Sequence, residues 1–100
     1  MKDHETINEI AKLSKVIKIG EAVERLENNT DFKLFLDWLT VNKVLELTYL
    51  LGRLEKDQVH ADNTTRLLEA IALFRTFLEE AKSTAKDAEE TKRQLIEDNE

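Results

Sequence analysis

From Asn63 to Asp98 the chain carries an apolar repeat that leaves little choice of secondary structure. Leu67, Ile71, Phe74, Leu78, Ala81, Ala85, Ala88, Lys92 and Leu95 follow one another at alternating steps of four and three. That is a heptad seam, which holds one stripe of a helix against a partner helix. Neither Pro nor Gly interrupts it, so nothing breaks the hydrogen-bond ladder. The spacing predicts one continuous helix of about 35 residues, roughly 52 Å long. A compact domain of 100 residues has a radius of gyration of only about 13 Å. Such a rod is expected to outrun its own domain. Its alanine-rich second half contributes little burial, so its tip is expected to need another chain.

The rest of the chain divides at weak helix boundaries. Ile7, Ile10, Leu13 and Ile17 share one stripe of a first helix, from about Glu5 to Glu27. Val16, Ile19, Val23 and Leu26 share a second stripe on the same helix. Two stripes predict two neighbours, or a bend at Gly20; a glycine there also suits a close helix crossing. Asn29 is placed to cap the next helix and Asp31 to sit in its first turn, where the dipole favours a negative charge. A short helix is expected from about Thr30 to Leu39, with Phe32, Phe35, Leu36 and Leu39 on a broad face widened by Leu34 and Trp38. These large side chains are expected to form the wide end of the core. Thr40-Val41-Asn42 is a weak turn signal, and a third helix follows from about Lys43 to Leu51. One unbroken helix over 30–51 is the alternative. Gly52 is placed as a left-handed residue ending that helix. Asp57 or Asp62 can cap the final helix, with Asp62 or Asn63 preferred.

The expected fold is therefore all-α. Residues 1–62 form an N-terminal part of about three short helices. They pack on the base of one long heptad-patterned helix, 63–100, within a single domain. Composition agrees: 41% of residues are hydrophobic and 36% charged, with no Pro and two Gly, which argues against both disorder and a strand-rich fold.

Charge excludes several partners. The net charge is −6. Residues 1–50 carry seven basic and nine acidic side chains, and residues 51–100 carry eight and twelve. No nucleic-acid partner is expected, because that needs clustered Lys and Arg, and Arg66, Arg75 and Arg93 form no continuous basic stripe. No membrane partner is expected: there is no apolar run near about 18 residues and no basic patch. The N-terminal Met-Lys-Asp-His-Glu lacks a signal pattern. Zero cysteine excludes disulfides and thiol chemistry, and fits a reducing compartment.

Residues able to carry catalysis are sparse. His4 and His60 have no second ligand at helix spacing. His60 beside Asp57 and Asp62 falls short of the three or four convergent ligands of a stable metal site. Ser14 and Ser83 have no nearby base, and Gly20 and Gly52 stand alone rather than in a phosphate loop. Glu79–Glu80 and Glu89–Glu90 are adjacent pairs, so their carboxylates point to different helix faces. Trp38 and the phenylalanines suit core packing better than a ligand pocket. No enzyme activity, cofactor, metal or small-molecule substrate is expected. At the tip, pairs such as Glu89–Arg93 and Glu79–Lys82 support the helix by a few tenths of a kcal/mol each.

Three further segments carry a resemblance. Glu24-Arg25-Leu26-Glu27-Asn28-Asn29-Thr30-Asp31-Phe32-Lys33 resembles the Asn-x-Asp-Phe-Lys signature of a family of small helical proteins from tailed bacteriophages. Val44-Leu45-Glu46-Leu47-Thr48-Tyr49-Leu50-Leu51-Gly52 is similar to that family's next helix, which ends in a Leu-rich turn. Ala70-Ile71-Ala72-Leu73-Phe74-Arg75-Thr76-Phe77-Leu78 resembles its later alanine-rich helix. The likeness spans about Ala22 to Glu90. It departs at Thr30, where the family often has Pro, at Asp-Trp-Leu-Thr of 37–40, and in the 53–63 connection. The resemblance implies a phage protein made among virion-morphogenesis genes, in the host cytoplasm during assembly, with its retention in the virion left open. The family has no assigned activity, so no residue role comes with it. The expected function is a structural or assembly role, with a homo-oligomer or a larger virion protein as partner. The interaction seam would be Leu67, Ile71, Phe74, Leu78, Ala81, Ala85, Ala88 and Leu95. The alternative is a small acidic inhibitor or adaptor that binds a host protein.

Overall fold

The computed structural model describes residues 4–54 and 56–98, and every regular element among them is helical. Helix α1 runs His4–Glu27, α2 Thr30–Asp37, α3 Val44–Arg53 and α4 Gln58–Asp98. The all-α class and the long C-terminal helix are as expected. A π-helical segment, Trp38–Lys43, joins α2 to α3 without a break. The alternative of an unbroken helix is thus what the chain adopts, and the turn expected at Thr40-Val41-Asn42 is absent. The widened turn absorbs the irregularity that Thr, Val and Asn introduce, since none of them is a strong helix former. Within it the Thr40 hydroxyl donates to the Leu36 carbonyl at 2.8 Å, satisfying its own polar group inside the helix.

The caps follow local chemistry. Asn29 is extended (φ −75°, ψ 127°) and its Oδ1 accepts from the Phe32 backbone N–H at 3.0 Å, starting α2 as expected. Asp57, rather than Asp62 or Asn63, starts α4: its Oδ1 accepts from the His60 backbone N–H at 3.2 Å. Its carbonyl accepts from Ala61 at 2.9 Å. Asp62 instead accepts from the Gln58 side chain at 2.7 Å, one turn inside the helix. Gly52 lies within α3, and no described residue has a positive φ. The left-handed cap expected there is replaced by Leu54 (φ −100°, ψ 25°), whose N–H bonds back to the Leu51 carbonyl at 3.2 Å.

The chain divides into two compact units. One is Met1–Leu26 with Leu78–Glu100, and the other is Glu27–Phe77. In the first, α1 packs against the alanine-rich half of α4. Gly20 lies against Ala81 and Ala85, while Ile17 lies beside Glu89, Lys92 and Ile96. Lower numbers on α1 meet higher numbers on α4, so the two run antiparallel. The tip therefore has a cover within its own chain, and α1 packs there rather than on the base of α4. Ala85 and Ala88 are buried on this seam; Leu78, Ala81, Lys92 and Leu95 are half-buried. Ala and Gly let the backbones approach closely enough for this contact to form. Facing them, Ile10, Leu13 and Ile17 are half-buried and Gly20 is buried, and α1 runs unbroken through Gly20.

In the second unit the covered positions are Leu47 on α3 and Thr64 and Ile71 on α4. Thr64 is buried because its hydroxyl donates to the His60 carbonyl at 2.8 Å, so no polar atom goes unsatisfied. The buried face here follows Ala61, Thr64, Leu68 and Ile71. Leu67 and Phe74, which the heptad places on the seam, lie at the edge of that face, 53% and 36% exposed.

Candidate interaction surface

The helical rod from Thr30 to Arg53 is apolar on two opposite sides. At 3.6 residues per turn, positions two apart point about 200° away from each other. Phe32, Leu36, Leu39, Val44, Leu47 and Leu51 are buried or half-buried and form the inner side. Leu34, Trp38, Val41, Leu45 and Tyr49 form a stripe on the other side, at steps of four, three, four and four. This stripe is open to solvent: Leu34 is 72% exposed, Trp38 47%, Leu45 65% and Tyr49 69%. A helix with apolar residues all round is normally enclosed on all sides. Here only one side is covered.

The expectation that the aromatics form the wide end of the core is corrected by this arrangement. Phe32 is half-buried, but Phe35, Trp38 and Tyr49 are exposed. The apolar spacing was compatible with one broad face across two short helices. In the helix the same residues separate into two faces, because Leu34 lies two positions from both Phe32 and Leu36. The outer aromatics are braced locally. The rings of Phe32 and Phe35 lie 6.4 Å apart and those of Phe35 and Trp38 5.9 Å apart. The Arg53 guanidinium sits 5.7 Å from the Tyr49 ring centre, a cation–π contact. An open groove of about 510 Å³ runs along the stripe between Leu34, Phe35, Trp38 and Asn42, with Asp31 and Asp37 at its margin.

Charges flank the stripe unevenly. Asp31 and Asp37 lie toward its N-terminal end, with Lys33 between them. Lys43 and Arg53 lie toward the other end, and Lys43 pairs with Glu46 at 3.3 Å. A second exposed apolar set, Leu67, Leu73, Phe74 and Phe77, lies on α4. The interaction seam expected from sequence is thus divided. Ala85 and Ala88 are buried within the chain and Ile71 is covered in the second unit. Leu67 and Phe74 are exposed, and Leu78, Ala81 and Leu95 lie between these extremes. Helix periodicity computed across 30–51 as one helix would have found the outer stripe.

The polar clusters serve the helices. The Asp57 carboxylate lies 2.5 Å from His60 Nδ1 and also takes the His60 backbone N–H, and these contacts hold its pKa below the usual value, the backbone bond most of all. Both of its oxygens are occupied at the start of α4. No group of three His, Cys, Asp or Glu able to hold a metal occurs among the described residues. Ser14 donates to the Ile10 carbonyl at 2.8 Å, a bond within its own helix. Arg93 pairs with Glu90 at 2.5 Å and Glu97 at 3.5 Å, in place of the expected Glu89. Glu79 and Lys82 pair at 3.0 Å as expected. No described helix is long and apolar enough to cross a membrane. No family model, curated protein or solved structure matches the chain.

Proposed function

We propose that this chain is a non-enzymatic structural or assembly protein of a tailed bacteriophage. It acts by helix–helix packing, in an oligomer or on a larger virion protein, in the host cytoplasm during assembly. The observation that carries this reading is the helix 30–53 with apolar side chains on two opposite faces and only one of them covered. An exposed apolar stripe of that length marks a surface made to be enclosed. The resemblance of the segments around Asp31-Phe32-Lys33, Val44–Gly52 and Ala70–Leu78 to small phage proteins supplies the biological setting.

The second reading is an acidic inhibitor or adaptor of a host protein, favoured by the net charge of −6. The two part company in the virion. Light scattering of the purified protein across a concentration series, together with mass spectrometry of purified particles, tests them. A stable oligomer, or a fixed copy number in virions or assembly intermediates, supports the assembly role. A monomer that is absent from both overturns it in favour of the inhibitor.

A further inference from the structure

We infer that the outer stripe of the helix 30–53 is covered by the same stripe of a second copy of this chain, lying antiparallel across a two-fold axis near Val41. This deepens the assembly reading and rests on it. Three features of the stripe select this occupant.

The first is self-complementarity. In a two-fold interface, if residue i meets residue j then j meets i. Turning the stripe end over end pairs Leu34 with Tyr49 and Trp38 with Leu45, and brings Val41 beside the axis. Every apolar position then meets an apolar one, and the large rings face the smaller leucines, which lets the layers interdigitate.

The second is charge. Asp31 stands at one end of the stripe and Arg53 at the other. The antiparallel arrangement brings Asp31 of each copy close to Arg53 of the other, and it sets the two helix dipoles head to tail. A parallel arrangement would put like charges side by side. The third is area. The stripe residues and Phe35 leave half or more of each side chain, roughly, in solvent. With about 150–250 Å² for each whole aromatic and less for each aliphatic, this comes to roughly 600 Å² per chain. Two such stripes bury about 1,200 Å² together, the lower end of the range for a specific interface.

Introduced cysteines test the geometry, because the natural chain has none. Under mild oxidation, Val41→Cys should cross-link to itself as a dimer. Leu34→Cys alone should stay uncross-linked, and a mixture of Leu34→Cys with Tyr49→Cys should form the mixed dimer. Leu45→Glu should weaken dimerisation about 30-fold or more, the loss expected of a central apolar contact. Phe77→Glu, on the exposed set of α4, should leave the dimer intact. Both positions are exposed in the single chain, so circular dichroism should show each variant folded. Self-cross-linking of Leu34→Cys as efficient as that of Val41→Cys would overturn the antiparallel arrangement. An oligomer lost with Phe77→Glu but kept with Leu45→Glu would overturn the choice of surface while leaving the assembly role standing. An unsubstituted chain that stays monomeric up to high concentration also overturns the inference. If that monomer is present in virions at fixed copy number, the assembly role survives alone.

Discussion

Gly20 of α1 faces Ala85 of α4 so closely that a Cβ built on the glycine would overlap the alanine Cβ and lie 3.2 Å from the Ala81 carbonyl oxygen. Neither neighbour is the end of a flexible side chain, so only a backbone shift could make room. Gly20→Ala should therefore destabilise the protein by about 1–3 kcal/mol, the cost of overpacking. This runs against the gain of nearly 1 kcal/mol that Ala brings to an ordinary helix position. Urea unfolding followed by circular dichroism measures it, and a neutral or stabilising result would mean the two helices do not meet here.

Gly52 is the control for that effect. It lies in α3 without a positive φ, and nothing would come within 4 Å of an added Cβ. Gly52→Ala should stabilise by about 0.4–1 kcal/mol, by restricting the unfolded chain. A loss of stability in the same assay would restore the left-handed cap that the sequence alone suggests.

Leu47 and Thr64 mark the covered side of the second unit. Leu47→Ala should cost about 2–5 kcal/mol through lost burial and the cavity left behind. Thr64→Val keeps the shape and removes only a hydroxyl bonded within its own helix, so it should change stability by less than about 1 kcal/mol. Thermal melts of the two variants should differ plainly. Similar melting temperatures would place the core elsewhere on α4.

The start of α2 rests on one side chain. Asn29 Oδ1 accepts from the Phe32 N–H, so Asn29→Ala should cost about 1 kcal/mol, and Asn29→Asp should keep most of the cap. Equal losses from the two would show that the amide does something other than capping.

Acid should weaken the start and the tip of α4. The Asp57 carboxyl is held below its ordinary 3.8, chiefly by the His60 backbone N–H. Glu90 is held below 4.5, chiefly by its hydrogen bond to Arg93. For carboxylates whose pKa is depressed by folding, the added stability is present above the ordinary value and is lost as pH falls through the folded one. Stability should accordingly decline as pH drops below 4.5 and on past 3.8. Asp57→Asn should flatten part of that decline in urea titrations at stepped pH. A variant with the parent's pH profile would remove Asp57 from the account.

The sequence by itself determined the helical class, the cap at Asn29 and the period of the C-terminal seam. Leu78, Ala81, Ala85, Ala88, Lys92 and Leu95 are all buried or half-buried in the heptad order read from the chain. These features are local: hydrogen-bond ladders, side-chain caps and a repeat of 3.5 residues depend on near neighbours. Which helix covers that seam was a tertiary decision. A stripe of alanines accepts a second chain or the chain's own α1 equally well, and only Gly20 opposite Ala85 shows which is seated there. Tertiary structure also decided that Thr64 is inside and Leu67 outside, because a hydroxyl bonded to its own helix can be buried at little cost. The π-helical turn carries both apolar faces of α2 on into α3. Tertiary packing covered one of them and left Leu34, Trp38, Val41, Leu45 and Tyr49 on the side that the chain itself does not cover.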